Sequence, residues 1–473
     1  MTATDGGAVA AVDLGATSGR VMIGRVRDGG LELEQVARFA NGPVEREDGW
    51  HWDIDALNAH VRAGLAEAVR REPTLASIGI DSWAVDYGLR RDGELIAEPF
   101  HYRDQRTGRG VDAVHARVPF DELYARNGLQ FLPFNTLYQY LADDRVADAE
   151  VSLLIPDLVA HRLTGAVVAE RTNASTTGLL DVRTGEWDDE LIGRLGLPTA
   201  VRPRLVAPGE TIGHLSPSVA AEIGADLPVL AVGSHDTASA IVAVPLSTPS
   251  AAYISCGTWG LVGLELAGPV LTAAAREANF TNEGGVDGRV RFLRNVTGLW
   301  LLSETVRAWE AEDGRRIDLP ALLAAAASVS PPGRLFAAND PSLSAPGDMP
   351  SRIAALLGTA APGPAGRAMF VRVIVESIAQ AFADTVRAAG ALSDRHVDVV
   401  HLVGGGALNG LLCQSTADRT GVPVLAGPVE ATALGNVLVQ ARAHGWFGAD
   451  ATLEHLRERV AEAFPPRRFE PRP

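Results

Sequence analysis

Lysine is missing from all 473 residues, so the 42 basic side chains are all arginine. That absence excludes whole reaction classes. A Walker A loop sets a lysine on the β/γ-phosphates, protein kinases need the lysine of their third strand, and Schiff-base enzymes need a lysine amine. If such a chain moves phosphate, it must use backbone amides, hydroxyls, arginine and a metal ion. Cysteine is nearly missing as well. Cys256 and Cys413 lie far apart and cannot form a disulfide framework. The stretch Met1–Gly15 lacks the basic, apolar and small-residue order of a signal peptide. No run of about 18 uncharged apolar residues marks a membrane span. The expected compartment is therefore the cytoplasm. No basic run offsets the net charge of −16, which argues against a nucleic-acid partner. No Cys/His cluster has the spacing of a metal site.

What is present is an ordinary globular composition, 47% hydrophobic and 21% charged, in a chain too long for one core. Two to three α/β domains are expected. Ala8–Asp13 and Val21–Val26 read as strands joined by a tight LGATSGR turn, with no helix after the glycines. That pattern is a hairpin and excludes a Rossmann reading, in which glycines open a helix. Its backbone N–H groups and the hydroxyls of Thr17 and Ser18 suit an anion, and Asp13 at its edge suits a hydrated Mg²⁺. An ordinary hairpin turn fits the same residues.

Leu31–Phe39 alternates as a third strand, and Asp53–Arg70 reads as an amphipathic helix capped by Asp53 or Asp55. Ser77–Gly88 is a strand leading into Asp81, Ser82, Trp83 and Asp86. A tryptophan and carboxylates at a strand end suit a sugar; a core tryptophan with surface acids is the plain alternative. Ile155–Gly165 is expected to be a helix closed by Gly165, and Arg171–Thr177 a polar loop.

Leu227–Ala240 (LPVLAVGSHDTASA) runs from a buried strand through Gly233 into Ser234-His235-Asp236-Thr237. A strand that ends in a carboxylate and an imidazole can build an active site, so Asp236 is a candidate base. The spacing equally allows Asp236 to cap the helix that follows.

Strand, Gly/Thr turn, strand recurs at Ala251–Leu264 around Gly257 and Thr258, as if two related domains faced one another. Asn295–Leu302 enters a helix. Ser328–Pro364 is a Pro/Gly/Ala-rich loop region with short helical pieces, and Ala368–Ala389 a long helix. Val399–Gly406 is a strand into three glycines, with Asn409 opening the next helix, a plausible phosphate or nucleotide cradle. Gly421–Leu425 is a short strand, Glu430–Gln440 a small-residue helix, and the Pro/Arg-rich end has no assignment.

DLGATSGR, GIDSWAVDYG, YRDQRT, GLQFLPFNTLYQ, SHDTASA, SCGTWG, TNEGG, NVTGLWLL, VGGGALN and GPVEATALGN occur in one order from about Val9 to Gln440. Together they resemble the FGGY family of carbohydrate kinases. NTLYQ, TNEGG and GPVEA favour the branch acting on L-rhamnulose over xylulose- or glycerol-acting branches. The resemblance implies two ribonuclease-H-like (actin-type) α/β domains with a catalytic cleft between them. Residues 1–245 would form the N-terminal domain, 246–460 the C-terminal domain and 461–473 a tail. It implies transfer of phosphate from Mg-ATP to the 1-hydroxyl of L-rhamnulose, with Asp236 as base. Position by position, it places Ala84, His235, Asp236, Thr237 and Asn295 at the sugar, and the strand-end reading adds Trp83 and Asp86. It sets Ala16, Thr17, Ser18, Gly19 and Arg20 at the phosphates with Thr258, and Ser303 and Gly405 near the nucleotide. The turn and helix-start readings add Gly257, Gly404 and Asn409 there, and the hairpin-edge reading adds Asp13 at the metal through water. L-rhamnulose-acting relatives usually carry glycine in place of Ala84 and glutamine in place of Ser303. L-fuculose and D-xylulose are the alternative ketoses, and an actin- or chaperone-like ATPase module with a protein partner is the rival from another class.

Overall fold

The structure, a computed structural model, describes residues 6–27, 30–246, 248, 250–448 and 450–472. Residues 1–5, part of the stretch read above as lacking a leader, lie outside the described residues. The chain divides into two compact units. The first gathers 1–243, 265–292 and 431–463, and the second 244–264, 293–430 and 464–473. These units are assembled from separated stretches, whereas the ranges 1–245 and 246–460 read from the sequence are contiguous.

In the first unit, β1 (Gly6–Leu14) is buried along most of its length, the mark of a strand covered on both faces. It pairs antiparallel with β2 (Ser18–Arg27), and β2 pairs antiparallel with β3 (Gly30–Ala40). Helix α1 (Ile54–Arg71) begins at Asp53, whose side chain accepts from the Ala56 amide at 2.9 Å. It buries Ile54, Leu57, Val61, Leu65 and Ala68, one stripe at helical spacing. β4 (Leu75–Ser82) then lies parallel to β1, and after the short helix α2 (Thr136–Leu141), β5 (Pro228–Leu230) lies parallel to β4. The sheet order is β5-β4-β1-β2-β3, extended beyond β5 by Thr211–His214. Helix α3 (Asp236–Val242) follows β5.

The second unit repeats the plan. β6 (Ala251–Cys256) pairs antiparallel with β7 (Trp259–Leu266), beside which lies β8 (Val290–Thr297); residues 265–266 of β7 and 290–292 of β8 fall in the first unit. Helices α4 (Trp300–Asp313) and α5 (Arg367–Ser393) precede β9 (Val399–Val403), which is parallel to β6. α6 (Gly410–Thr420) leads to β10 (Val424–Ala426), parallel to β9. Helix α7 (Ala431–Ala443) belongs to the first unit, where a Cβ on Gly435 would stand 1.7 Å from the Ser239 carbonyl oxygen of α3. Only glycine permits so close a helix contact.

Two expectations are corrected. Arg171–Thr177 is not a loop: a helical turn over Arg171–Ala174 passes into a 3₁₀ turn, started by the Glu170 carboxylate, which accepts from the Thr172 and Asn173 amides. The chain end is not unassigned either, since β11 (Arg467–Phe469) pairs antiparallel with β10. Among the described residues no helix is long and apolar enough to cross a membrane.

Candidate active site

The first unit gathers carboxylates at the carboxyl ends of three neighbouring parallel strands. Asp13 is next to last on β1 and stands opposite Asp81 of β4 in the parallel register. Ser82 bridges to His235, the residue before Asp236. Ligands of open α/β sheets bind at such strand ends. The Asp13 carboxylate accepts from Arg20 Nη2 at 2.6 Å, across the hairpin from its antiparallel partner. Asp81 is fully buried and accepts from Asn436 Nδ2 of α7 at 2.6 Å. Burial and the charge of Asp13 hold its carboxyl well above the usual aspartate range.

Asp236 opens α3, but it does not cap it. His235 occupies the cap position without a side-chain cap bond, so the capping role considered for Asp236 is not what its carboxylate does. Its Oδ1 accepts from Thr237 Oγ1 at 3.1 Å, and about a third of the side chain, 35%, is open to solvent. Burial of the remainder, then the charge of Asp13, push the carboxyl up to about 7. A carboxylate poised near neutrality and open on one side is suited to accept a proton.

The backbone leading to Asp236 is braced by a residue the sequence did not single out. Glu170, fully buried, accepts from the Ser234 amide at 3.0 Å and the Ser234 hydroxyl at 2.8 Å, besides its own helical turn. Its signal was weak, one acid at the head of a polar stretch. Arg291 and Glu283 were also missed, although Glu283 belongs to the TNEGG motif. Both are buried, and Arg291 Nη2 lies 3.0 Å from His235 Nδ1.

Trp83 and Asp86 are placed differently from an open sugar platform. The Asp86 carboxylate is fully buried and accepts from Trp52 Nε1 (2.6 Å), Trp83 Nε1 (3.1 Å), the Tyr102 amide (3.1 Å) and Gln139 Nε2 (2.9 Å). Trp83 packs on Trp52 with ring centroids 4.1 Å apart. Between them, Ala84 is partly open, and Val85 is held at φ 70°, a strained left-handed position for a β-branched residue. Thr136 Oγ1 and Gln139 Nε2 of the NTLYQ segment both donate to the Val85 carbonyl, at 2.8 and 3.3 Å. NTLYQ thus shapes the Ala84 turn.

The hairpin turn between β1 and β2 leaves Thr17 exposed and Ala16, Ser18 and Arg20 partly exposed. Gly15 N–H bonds back to the Ser18 carbonyl, and Asn41 Nδ2 donates to the Gly15 carbonyl at 2.8 Å. Gly19 is buried, with a Cβ position only 2.2 Å from the Phe39 ring.

In the second unit the strand ends carry glycines instead of acids. Exposed Gly257 and partly exposed Thr258 form the β6–β7 turn, and their carbonyls accept from the Leu299, Gly298 and Trp300 amides at the start of α4. Ser303 is exposed on the first turn of α4, and Asn295 is half-buried on β8. Gly404, at φ 79° and ψ −166°, lies in a region open essentially to glycine alone. Gly405 is exposed, while Gly406 packs on Cys256, whose Sγ stands 2.5 Å from the Cβ position. Cys256 is therefore a packed residue, and burial pushes its thiol up. Asn409 caps α6, its Oδ1 accepting from the Leu412 amide at 3.1 Å.

Comparison with known proteins adds the following. Residues 8–243 match the N-terminal domain of the FGGY family of carbohydrate kinases, and residues 252–444 its C-terminal domain. A rhamnulokinase of Bacteroides thetaiotaomicron is 39% identical over 469 residues, 98% of this chain and 95% of that protein. A rhamnulokinase of Klebsiella pneumoniae is 40% identical over 91% of this chain and 88% of that protein. Among solved structures, a xylulose kinase from Lactobacillus acidophilus aligns with a TM-score of 0.78 at 16% identity, covering 98% of this chain and 94% of that one. A glycerol kinase from Plasmodium falciparum, solved with ADP, aligns at 0.75 and 14% over the same shares. These structures share the mixed α/β two-domain fold.

Proposed function

Because the chain belongs to the FGGY family of carbohydrate kinases, we propose that it transfers the γ-phosphate of ATP to the 1-hydroxyl of L-rhamnulose, giving L-rhamnulose 1-phosphate and ADP. The observation that carries the choice of sugar is its 39–40% identity to rhamnulokinases over nearly the whole chain. A primary hydroxyl is a poor nucleophile. Asp236 accepts its proton as the bond to phosphorus forms, and a carboxyl near 7 is half ionised at neutral pH. Ala84, His235, Thr237 and Asn295 are the sugar-contacting set in this reading. Trp83 and Asp86, whose polar atoms meet one another and their neighbours, set the shape of the Ala84 turn.

Phosphoryl transfer otherwise needs alignment and neutralisation of the phosphoryl oxygens. In the first unit that falls to the Ala16–Gly19 backbone, the Thr17 and Ser18 hydroxyls and Arg20. In the second it falls to Gly257 and Thr258, with Ser303, Gly404, Gly405 and Asn409 on the nucleotide. No lysine is required. Mg²⁺ binds with one or two carboxylates, its own waters and the substrate's phosphates, and supplies charge neutralisation at the phosphates when bound. Among the described residues no group of three His, Cys, Asp or Glu is arranged to hold a metal directly. Asp13, a buried carboxylate beside the phosphate hairpin that pairs with Arg20 at 2.6 Å, is the residue that would hold a hydrated ion. Two buried free cysteines agree with a cytoplasmic placement.

Coupled ADP release across a panel of ketoses tests the proposal. Turnover is expected to be greatest with L-rhamnulose. A preference for L-fuculose or D-xylulose would reassign the sugar, and an ATPase rate indifferent to sugar would favour the ATPase module.

A further inference from the structure

A buried chain of three side chains stands behind Asp236, all within the first unit. Glu283 lies on the strand Thr281–Gly284 and Arg291 on β8. The Arg291 guanidinium has no exposure. Its Nε donates to the Gly284 carbonyl at 2.9 Å, its Nη1 lies 3.1 Å from Glu283 Oε2, and its Nη2 lies 3.0 Å from His235 Nδ1. On its other side the imidazole presents Nε2 to Asp236 Oδ1 at 3.4 Å. Thr172 Oγ1 accepts from the His235 amide, so the ring has backbone as well as side-chain restraint.

The chemistry of these atoms favours one arrangement. Arginine has five donors and no acceptor, so the nitrogen that meets Nη2 must offer a lone pair. Nδ1 is also 3.4 Å from Glu283 Oε2, which would favour a proton there, but the guanidinium nitrogen is closer, at 3.0 Å, and the charge of Glu283 is paired with Arg291 at 3.1 Å. Nδ1 is therefore the acceptor. Burial and the Arg291 charge hold the imidazole well below its usual range, so it carries one proton, on Nε2. The charged groups facing the ring are Arg291, Glu283 and Asp236.

We propose that Arg291, anchored by Glu283 and the Gly284 carbonyl, is a positioning residue that fixes His235 as its Nε2–H tautomer, so that the ring offers a donor beside Asp236. The donor orients an oxygen of the ketose, and Asp236 remains the acceptor of the hydroxyl proton. Without Arg291 the ring is free to turn its lone pair toward the carboxylate, where two acceptors face one another and the sugar oxygen loses its donor. This inference rests on the sugar-kinase reading and adds to it how one site residue is set.

The test is ¹⁵N-histidine NMR of the full chain, with the His235 signals assigned by their loss in His235→Gln, together with steady-state turnover. In the unsubstituted protein Nδ1 is expected unprotonated and Nε2 protonated from pH 6 to 8. Arg291→Met should lose that pattern and lower kcat on L-rhamnulose by about 10², the scale of a misplaced reacting group, with the KM for ATP unchanged. Arg291→Lys, which restores one donor, should recover part of both. The double change Glu283→Gln with Arg291→Met leaves no buried charge unpaired and should behave as Arg291→Met if the single variant fails to fold. A proton on Nδ1 in the unsubstituted protein overturns the proposal. So does an Arg291→Met variant, or the folded double variant, whose tautomer and turnover are unchanged, or whose turnover falls while the tautomer stays. If no ketose is turned over but the Nε2–H pattern is present, the sugar-kinase reading fails while the tautomer assignment stands.

Discussion

The two units share a plan and differ in what they put at its working end. Each has a hairpin whose first strand lies parallel to two later strands: β1 with β4 and β5, and β6 with β9 and β10. In the first unit those strand ends carry Asp13, Asp81 and the His235-Asp236 pair. In the second they carry Gly257 and Gly404–Gly406. A proton acceptor must be a side chain, and its pKa is set by burial and neighbouring charge. A phosphate can be held by backbone N–H groups, for which a side chain is an obstruction. One scaffold therefore sets titratable carboxylates beside an exposed hairpin turn in one unit and accessible backbone without acids in the other.

The sharpest way to break that contrast is Asp236→Asn. The amide keeps the shape but cannot accept the hydroxyl proton. A loss in kcat of about 10²–10⁴ is expected, the usual worth of a positioned base, with sugar and ATP binding retained by calorimetry. Turnover near that of the unsubstituted enzyme would mean the first unit is not the one that carries the proton chemistry.

The matching break in the second unit is Gly404→Ala. A Cβ there would lie 2.9 Å from the Cys256 carbonyl oxygen, at a backbone angle of φ 79°. Strain of about 1–3 kcal/mol is expected, read as a lower denaturation midpoint and a higher KM for ATP, with the pH profile unchanged. A shifted pH profile would contradict the division between the units.

That profile gives a third test. With Asp236 near 7, kcat/KM for the ketose should fall about tenfold per pH unit below 7 and level off above it. The stability term runs the other way. The folded-state value lies above the ordinary 3.8, so the folded protein binds the extra proton between about pH 4 and 7. The stabilisation this group gives is full below pH 4 and is lost as pH rises through 7. Asp236→Asn should remove both slopes, and a profile still bending near 7 would assign the ionisation to another group.

Much of this was legible in the sequence. The first hairpin, a cap at Asp53 or Asp55 (the structure has Asp53), the helix closed by Gly165 and the glycine turn after β9 follow from local patterns that burial reinforces. The carboxylate at Asp236 was legible for the same reason: a buried run has few causes to end in an acid. What was not legible depends on distant partners. Gly435 marks nothing until α7 rests on Ser239, and α7 joins the first unit through its packing on α3, β1 and β4. Asp86 looked free because its four donors come from Trp52, Trp83, Tyr102 and Gln139, spread over 88 positions of chain. Arg291 lies in a strand of mixed character, VRFLRNVT, where only the fold reveals that His235 is its partner. β11 was hidden by prolines on both sides, and an edge strand is where such neighbours are tolerated.

The smallest expected effect asks whether the second unit uses any side chain beyond its backbone. Asn409 caps α6 through Oδ1, while its Nδ2 meets no hydrogen-bond partner among the described residues. Asn409→Ala removes both atoms and should cost about 1 kcal/mol, the usual worth of a cap, seen in the denaturation midpoint. Asn409→Ser keeps an oxygen for the Leu412 amide and removes only the free donor, so stability should stay near that of the unsubstituted protein. If Nδ2 meets the nucleotide, the serine variant raises the KM for ATP severalfold while kcat at saturation is kept. A serine variant with unchanged KM would make Asn409 a cap alone, and the proposed nucleotide site would use fewer side chains than the glycine-turn reading assigns to it.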